Sequence, residues 1–327
     1  MIDFQEDSPA GRVSAGTAVP SFVGWRIFIL FVASALALGV IASFPLLGVS
    51  SYLLTLIYYT AYYAAMAQSW NLISGLTGYL SFAHGALAGI GTYALFIFNR
   101  RGLPLDISFL LAVTVAVAGS FLIGLPSLRI RGIAFAFATL FFQEISSLVV
   151  IRGGSLTGGA AGLVLEDLVP IWVPYVLMLL ITWSSTWAVA TLRRSHLGLR
   201  VVAIREDELA ATIAGVPATR YKLVLFCCSA AVAGAVGATH GLFAGSVWPQ
   251  IVFSIDTSVA AIAVTLIGGI GSALGPVIGA ILFVVLREVL QVFVPGLHLA
   301  ALGAVIVLIV LFQPGGLMGI LAKLRSG

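Results

Sequence analysis

RRSHLGLRVVAIREDELAATIAGVPATRYK, residues 193–222, is an island of charge in a chain where only 9% of residues are charged. It holds six of the sixteen Lys/Arg and three of the twelve Asp/Glu. The apolar stretches on either side, near 171–191 and 221–245, are each long enough to cross a bilayer, which takes about 20 residues. A chain that gathers its charge into one loop between two such stretches offers that loop to the aqueous phase and to whatever binds there.

Outward from the island, the rest of the chain reads as membrane. Hydrophobic residues make up 61% and the mean hydropathy is +1.14, far above the roughly 45–50% apolar content of soluble domains. Spans are expected near 26–47, 50–73, 79–98, 107–126, 131–151, 171–191, 221–245, 255–270, 273–294 and 298–313, ten in all. The fold class is therefore an all-α integral membrane protein, with a membrane domain over 26–313, a polar N-terminal tail over 1–25 and a C-terminal tail over 314–327. The first apolar segment is longer than the roughly 7–15 residues of a signal-peptide core, so it reads as a retained helix.

The net charge of +4 does not point to nucleic acid, because the positive residues flank spans and set orientation. With the N-terminus inside, Arg12, Arg26, Arg129, Arg131, the six of the island, Lys323 and Arg325 lie inside, twelve against Arg100, Arg101 and Arg152 outside. Arg287 falls within a span. The outer connection 152–170 carries Glu166 and Asp167. Cys227 and Cys228 are adjacent in a span, where helical neighbours point about 100° apart, and read as packing residues rather than metal ligands.

Two segments are unusually rich in glycine for membrane spans: GLTGYLSFAHGALAGIGTY at 75–93 and GGIGSALGPVIGAI at 268–281. Irregular backbone at membrane depth needs protein or a water-filled cavity to satisfy it, which would place Gly78, Ser81, His84 and Gly85 along a solute path. Close helix packing through small residues explains the same glycines, and a neutral His84 bonded to a backbone carbonyl explains the histidine. Gln143 and Glu144 sit well inside the fifth span, where Glu144 is either hydrogen-bonded in the core or in contact with a second subunit. Asp256 is placed to cap the amides of 257–260. Arg287 and Glu288, as helical neighbours, are expected to pair separately or to snorkel rather than to form one bridge.

Within the island, Arg205 to Gly215 reads as one short helix. Glu206, Asp207 and Glu208 occupy its N-terminal end, where the helix dipole favours negative charge, and Gly215 followed by Pro217 ends it. Leu209, Ala210, Ile213 and Ala214 form a small apolar face. A helix of two turns is not stable alone, so it must rest on its own spans or on a partner.

AIREDELAATIAGVPATRYK at 203–222 resembles the coupling segment of permeases of branched-chain amino acid ABC importers, in which an acidic-Ala-Ala…Gly helix meets a cleft on the ATPase. The resemblance extends, in order, through Asn71-Leu72 with GLTGYLSFAHGALAGIGTYA at 75–94, LRIRGIAFAFATLFFQEI at 128–145, LIGGIGSALGPVIGA at 266–280 and FQPGGLMG at 312–319. Leu-Arg-Ile-Arg-Gly at 128–132 is closer to the M-type permease than to its H-type partner. The resemblance implies an importer permease with Gly-broken helices, in which Arg205, Glu206, Asp207, Glu208, Leu209, Ala210, Ala211, Ile213 and Gly215 couple to the ATPase and Glu208 lies at the docking surface. It implies a homologous second permease subunit, two cytoplasmic ABC ATPases and a periplasmic solute-binding protein, in a bacterial inner membrane with both termini cytoplasmic. Its solute is a branched-chain amino acid or a related small polar solute such as urea, an amide or an aromatic acid.

No cofactor is expected on this chain, ATP being used by the partner ATPases. The sequence has no G-x-x-x-x-G-K-[ST] phosphate loop, and no H-E-x-x-H, C-x-x-C or G-x-S-x-G motif, so it is not expected to be an enzyme. Two rival readings are an ion-coupled secondary transporter using Glu144 or Asp256, and a membrane-embedded lipid enzyme using His84 and Glu144 as acid and base. Neither accounts for the 205–215 helix.

Overall fold

The computed structural model describes residues 21–130, 132–165 and 169–293, and beyond these 296–297, 300, 303–304, 307–308, 311–312 and 315–320. The N-terminal tail to residue 20, Arg131, Glu166, Asp167, Lys323, Arg325 and much of the tenth expected span lie outside the described residues. The chain divides into two compact units, Met1–Ser43 and Phe44–Gly327. In the first, α1 spans Ser21–Ala42. Leu30, Leu36 and Val40 are exposed, and Ser34 folds its hydroxyl back onto the Phe31 carbonyl, the habit of a polar side chain where water is absent.

In the second unit the helices are α2 (Ser51–Trp70), α3 (His84–Arg100), α4 (Leu105–Ser127), α5 (Ile133–Arg152), α6 (Trp172–Leu192), α7 (His196–Glu206), α8 (Glu208–Ile213), α9 (Ala218–Ala244), α10 (Pro249–Val252), α11 (Ile255–Gly268) and α12 (Gly275–Phe293). Two short strands, β1 (Leu163–Val164) and β2 (Ser246–Val247), pair antiparallel and tie the 152–170 connection to the end of α9. The protein is all-helical and multi-pass. Among the described residues, six segments are long and apolar enough to cross a membrane: 105–127, 133–152, 172–192, 218–244, 249–268 and 275–293.

The second and third expected spans coincide with α2 and α3 but fall outside that set, for physical reasons. α3 is only 17 residues long, because the chain is non-helical over 78–83 where a span was expected to begin at 79. α2 carries five tyrosines with Gln68 and Ser69, and half of it is buried in protein, so it does not need a uniformly apolar surface. The eighth span is broken: α10 and α11 are separated at Phe253–Ser254. Ser254 takes the capping position expected of Asp256. Its hydroxyl accepts from the Asp256 amide at 3.1 Å and donates to Asp256 Oδ2 at 2.7 Å, since a helix that starts at Ile255 places Asp256 inside the first turn.

Helix α9 packs against α3, α4, α2 and α6, and small residues set how closely. A Cβ on Gly91 would stand 2.3 Å from the Gly234 carbonyl oxygen, and one on Gly237 would stand 2.0 Å from that of Ala88. Backbones of α3 and α9 therefore meet without side chains between them, the geometry small residues allow between membrane helices. On the other flank, α2 is sewn to the turn between α11 and α12. After Trp70 the helix widens into a π-turn over Asn71–Gly75. Asn71 Oδ1 accepts from the Gly271 amide at 2.8 Å, and its Nδ2 donates to the Ser272 carbonyl at 2.8 Å.

The α3–α9 contact makes a stability prediction. Gly91→Ala should destabilise the protein by about 1–3 kcal/mol through overpacking. Gly39→Ala in α1, where a Cβ meets nothing within 4 Å, should be neutral or slightly stabilising. Thermal unfolding of the detergent-extracted protein separates the two; equal midpoints would contradict the backbone contact.

Candidate functional site

The charged island folds into α7, α8 and the start of α9. Ser195 caps α7 by accepting from the Gly198 amide at 3.2 Å. The single helix expected from Arg205 to Gly215 is two helices. Asp207 is extended (φ −154°, ψ 104°) and its carboxylate accepts from the Leu209 and Ala210 amides at 2.8 and 3.0 Å. An aspartate that captures the next turn's amides offers the backbone an alternative to continuing the helix. Arg205 and Glu206 thus close α7, and Asp207 opens α8. Gly215 (φ +85°) ends α8 as expected: its amide donates to Thr212 O, and that of Val216 to Ala211 O, the paired bonds of a glycine-terminated helix.

The two sides of α8 differ. Leu209 (60% exposed), Ala210, Ile213 (80%) and Ala214 face outward, while Ala211 is buried with Ile204 and Ala218 in a small core beneath the loop. Glu208 corrects an expectation. Instead of standing at an outer docking surface, it turns inward to Lys222 at 2.7 Å, with side-chain exposures of 14% and 1%. Lys222 Nζ also donates to Tyr79 Oη at 2.8 Å and to the Leu128 carbonyl at 3.1 Å, and Tyr79 in turn donates to Glu208. The ammonium lies 4.2 Å from the Tyr79 ring centroid, a favourable cation–ring contact. Four pieces of chain meet here: α8, α9, the end of α4 and the irregular segment 78–83. Beside them, Arg205 Nη1 donates to Gly75 O at 3.1 Å, tying α7 to the π-turn. On sequence alone Lys222 is one more positive charge of the loop. The signal available is a lysine standing at the very start of an apolar span.

The irregular segment is satisfied by protein. Ser81, His84 and Gly85 are buried. Trp70 Nε1 donates to Ser81 O at 2.9 Å, the Phe82 amide to Thr139 Oγ1 at 3.0 Å and the Gly85 amide to Ser258 Oγ at 2.8 Å. The Ser258 proton lies between Phe82 O and Gln143 Oε1, both at 2.8 Å, and Gln143 Nε2 donates to Phe253 O at 3.2 Å. His84 Nε2 is 3.2 Å from Ser229 Oγ. Of the four expected pathway residues only Gly78 borders open space, a cavity of about 640 Å³. Tyr79, Phe82, Ile133, Phe137 and Arg205 also line it.

Gln143 and Glu144 part ways on α5. Gln143 is buried in the network just described, whereas Glu144 is exposed, beside Phe137, Phe141, Ile145 and Leu148, which are also exposed. Glu144 is thus not held in the core of this chain. Arg287 and Glu288 pair separately, as expected, with Tyr63 and Tyr52. Among the described residues no cluster of His, Cys, Asp or Glu is arranged to hold a metal.

The family model described as branched-chain amino acid transport system / permease component matches residues 52–310. The high-affinity branched-chain amino acid transport system permease protein LivM of Salmonella typhimurium is 30% identical over 306 residues, covering 82% of this chain and 71% of that protein. LivM of Escherichia coli K12 is 29% identical over 303 residues with the same coverage. The corresponding permease protein LivH of Salmonella typhimurium is 24% identical over 282 residues, covering 79% and 91%. No solved structure matches the chain.

The Lys222 cluster makes a prediction of its own. Lys222→Met strands the Glu208 carboxylate in a mostly buried position and should cost about 3 kcal/mol. The double variant Lys222→Met/Glu208→Gln should recover most of that loss, because neither charge is left alone. Additive losses in a thermal double-mutant cycle would show that the two groups are not coupled.

Proposed function

Because the chain belongs to the branched-chain amino acid transport permease family, whose members are permease components without an ATPase site of their own, we propose that it is the M-type membrane subunit of an ATP-driven importer. Its solute is a branched-chain amino acid, and its partners are a homologous second permease, two cytoplasmic ATPases and a periplasmic binding protein. The observation that carries this reading is the outward face of α8. Leu209 and Ile213 stand exposed on a polar loop, while Glu208 on the opposite side is locked into the membrane body. An apolar face presented at the water side and anchored behind suits a partner that pushes on it.

In this reading α7 and α8 face the cytoplasm and the chain crosses the inner membrane ten times. ATP-driven closure of the ATPases moves α8, and the Glu208–Lys222–Tyr79 contact passes the movement to segment 78–83, which forms one wall of the 640 Å³ cavity. Such rigid-body shifts about an interface are the ordinary means of alternating two states. The cavity beside Gly78 is the inner mouth of the path, with Ser81, His84 and Gly85 as its supporting wall. Glu144, a carboxylate on an apolar helix face, is costly against lipid and is assigned to the contact with the second permease.

Reconstituted with its partners, the protein should take up leucine, isoleucine or valine with ATP and ignore an uncoupler. Uptake that needs no ATP and collapses with the uncoupler would overturn the reading in favour of an ion-coupled carrier. Ile213→Asp should leave folding intact but lower ATPase association and uptake at least tenfold; normal association would remove α8 from the mechanism. Glu144→Ala should weaken assembly with the second permease, measured by co-purification, and Glu144→Gln should do so less if the carboxyl acts as a hydrogen-bonding group. Full assembly of the Ala variant would place Glu144 elsewhere.

A further inference from the structure

Toward the end of α2 remote from α8, about 30 Å along the helix from Gly75 at 1.5 Å per residue, α2 and α12 line a cavity of about 140 Å³. Thr55 and Tyr59 line it from α2, and Val284, Arg287 and Glu288 from α12. Arg287 and Glu288 are the charged residues of a 19-residue helix that is otherwise uncharged. Each is held by a tyrosine. Arg287 Nη1 donates to Tyr63 Oη at 2.7 Å, and Glu288 Oε2 accepts from Tyr52 Oη at 3.2 Å.

These bonds are hydrogen bonds to neutral hydroxyls, not ion pairs. Among the described residues no carboxylate lies within ion-pair distance of Arg287, and no cation within that distance of Glu288. A guanidinium inside an apolar helix is costly, and residues of this kind mark solute paths. One positive and one negative group, adjacent, fixed by hydroxyls and opening on the same small space, complement a molecule that carries one charge of each sign. The guanidinium suits a carboxylate through paired hydrogen bonds. Glu288 and the face of Tyr59 suit an ammonium. Leu56 and Val284 leave an apolar wall. At roughly 30 Å³ per water molecule, the space takes the head group of a small solute with its side chain directed outward.

We propose that this cavity binds the zwitterionic head group of an α-amino acid, with the carboxylate on Arg287 and the ammonium on Glu288. The assignment rests on the import reading for the identity of the solute, and it adds a binding site within the permease itself, at the end opposite the ATPase-facing loop. The Arg287 half of the site is held in place by Tyr63 before solute arrives, which lowers the ordering required on binding.

The test uses the assembled complex in nanodiscs, with Cys227 and Cys228 replaced by serine and Thr55→Cys as a reporter. Leucine should slow labelling of the introduced thiol by a small polar thiol reagent at least fivefold. 4-Methylpentanoate, which lacks the amine, and 3-methylbutylamine, which lacks the carboxylate, should not, and Arg287→Gln should abolish the protection. In proteoliposomes Arg287→Gln and Glu288→Gln should each lower leucine uptake at least tenfold, with assembly and basal ATP hydrolysis retained. Unchanged uptake in both variants overturns the proposal, as does equal protection by all three compounds. Import of leucine without protection would retire this site and leave the import reading standing. Protection without ATP-driven import would do the reverse.

Discussion

Lys222 carries an ammonium into a place where 1% of its side chain remains exposed, and a buried ammonium persists only with an anion and acceptors for its protons. It finds all of them at once. Its three protons face Glu208, the Tyr79 hydroxyl and the Leu128 carbonyl, which come from α8, the irregular segment and the end of α4. No single one of these elements supplies enough partners, so the lysine keeps them together. Removing any one of them leaves a buried polar group unsatisfied, which costs more than the bond itself contributes. The short α8, too small to fold by itself, gains its fixed position from this contact rather than from its own sequence.

The same constraint governs the segment that follows Tyr79. Its freed amides and carbonyls are bonded to Thr139 of α5, Ser258 of α11 and Trp70 of α2, so it is irregular without being loose. A displacement delivered at Tyr79 meets a backbone gripped by three helices, one of which, α11, begins at Ile255 after the break at Phe253–Ser254. Around it the α3–α9 contact is too close for side chains to rearrange. The helical backbone is interrupted at the α7–α8 and α10–α11 joints, whereas α3 and α9 meet backbone to backbone.

Much of this was legible in the sequence where one residue type carries one meaning. Apolar length placed most of the described helices, though not the break at Phe253–Ser254 or the late start of α3 at His84, and Gly215 ended α8. What was not legible depends on side-chain direction. Asp207 reads equally well as a residue of a helix's first turn or as a cap that starts a new helix, and only the path of the backbone decides. Glu206, Asp207 and Glu208 are alike on paper, yet Glu208 alone turns inward, because Lys222 lies fourteen positions later at the start of a span. The glycines of 75–93 left packing and pathway open. The structure gives Gly85 and Gly91 to packing and sets Gly78 beside a cavity. Arg287 and Glu288 showed only that they would pair apart; that both open on one cavity required the placement of α2 against α12.

The most direct measurement is the ratio of leucine imported to ATP hydrolysed by complexes in which the Lys222 contact is removed as a pair, Lys222→Met with Glu208→Gln, so that no buried charge is stranded. If the contact carries the motion of α8 into the membrane body, the complex should assemble, keep its basal hydrolysis and import at least tenfold less leucine per ATP. A wild-type ratio in that double variant would show that the ion pair only holds α8 in place and that the motion travels by another route.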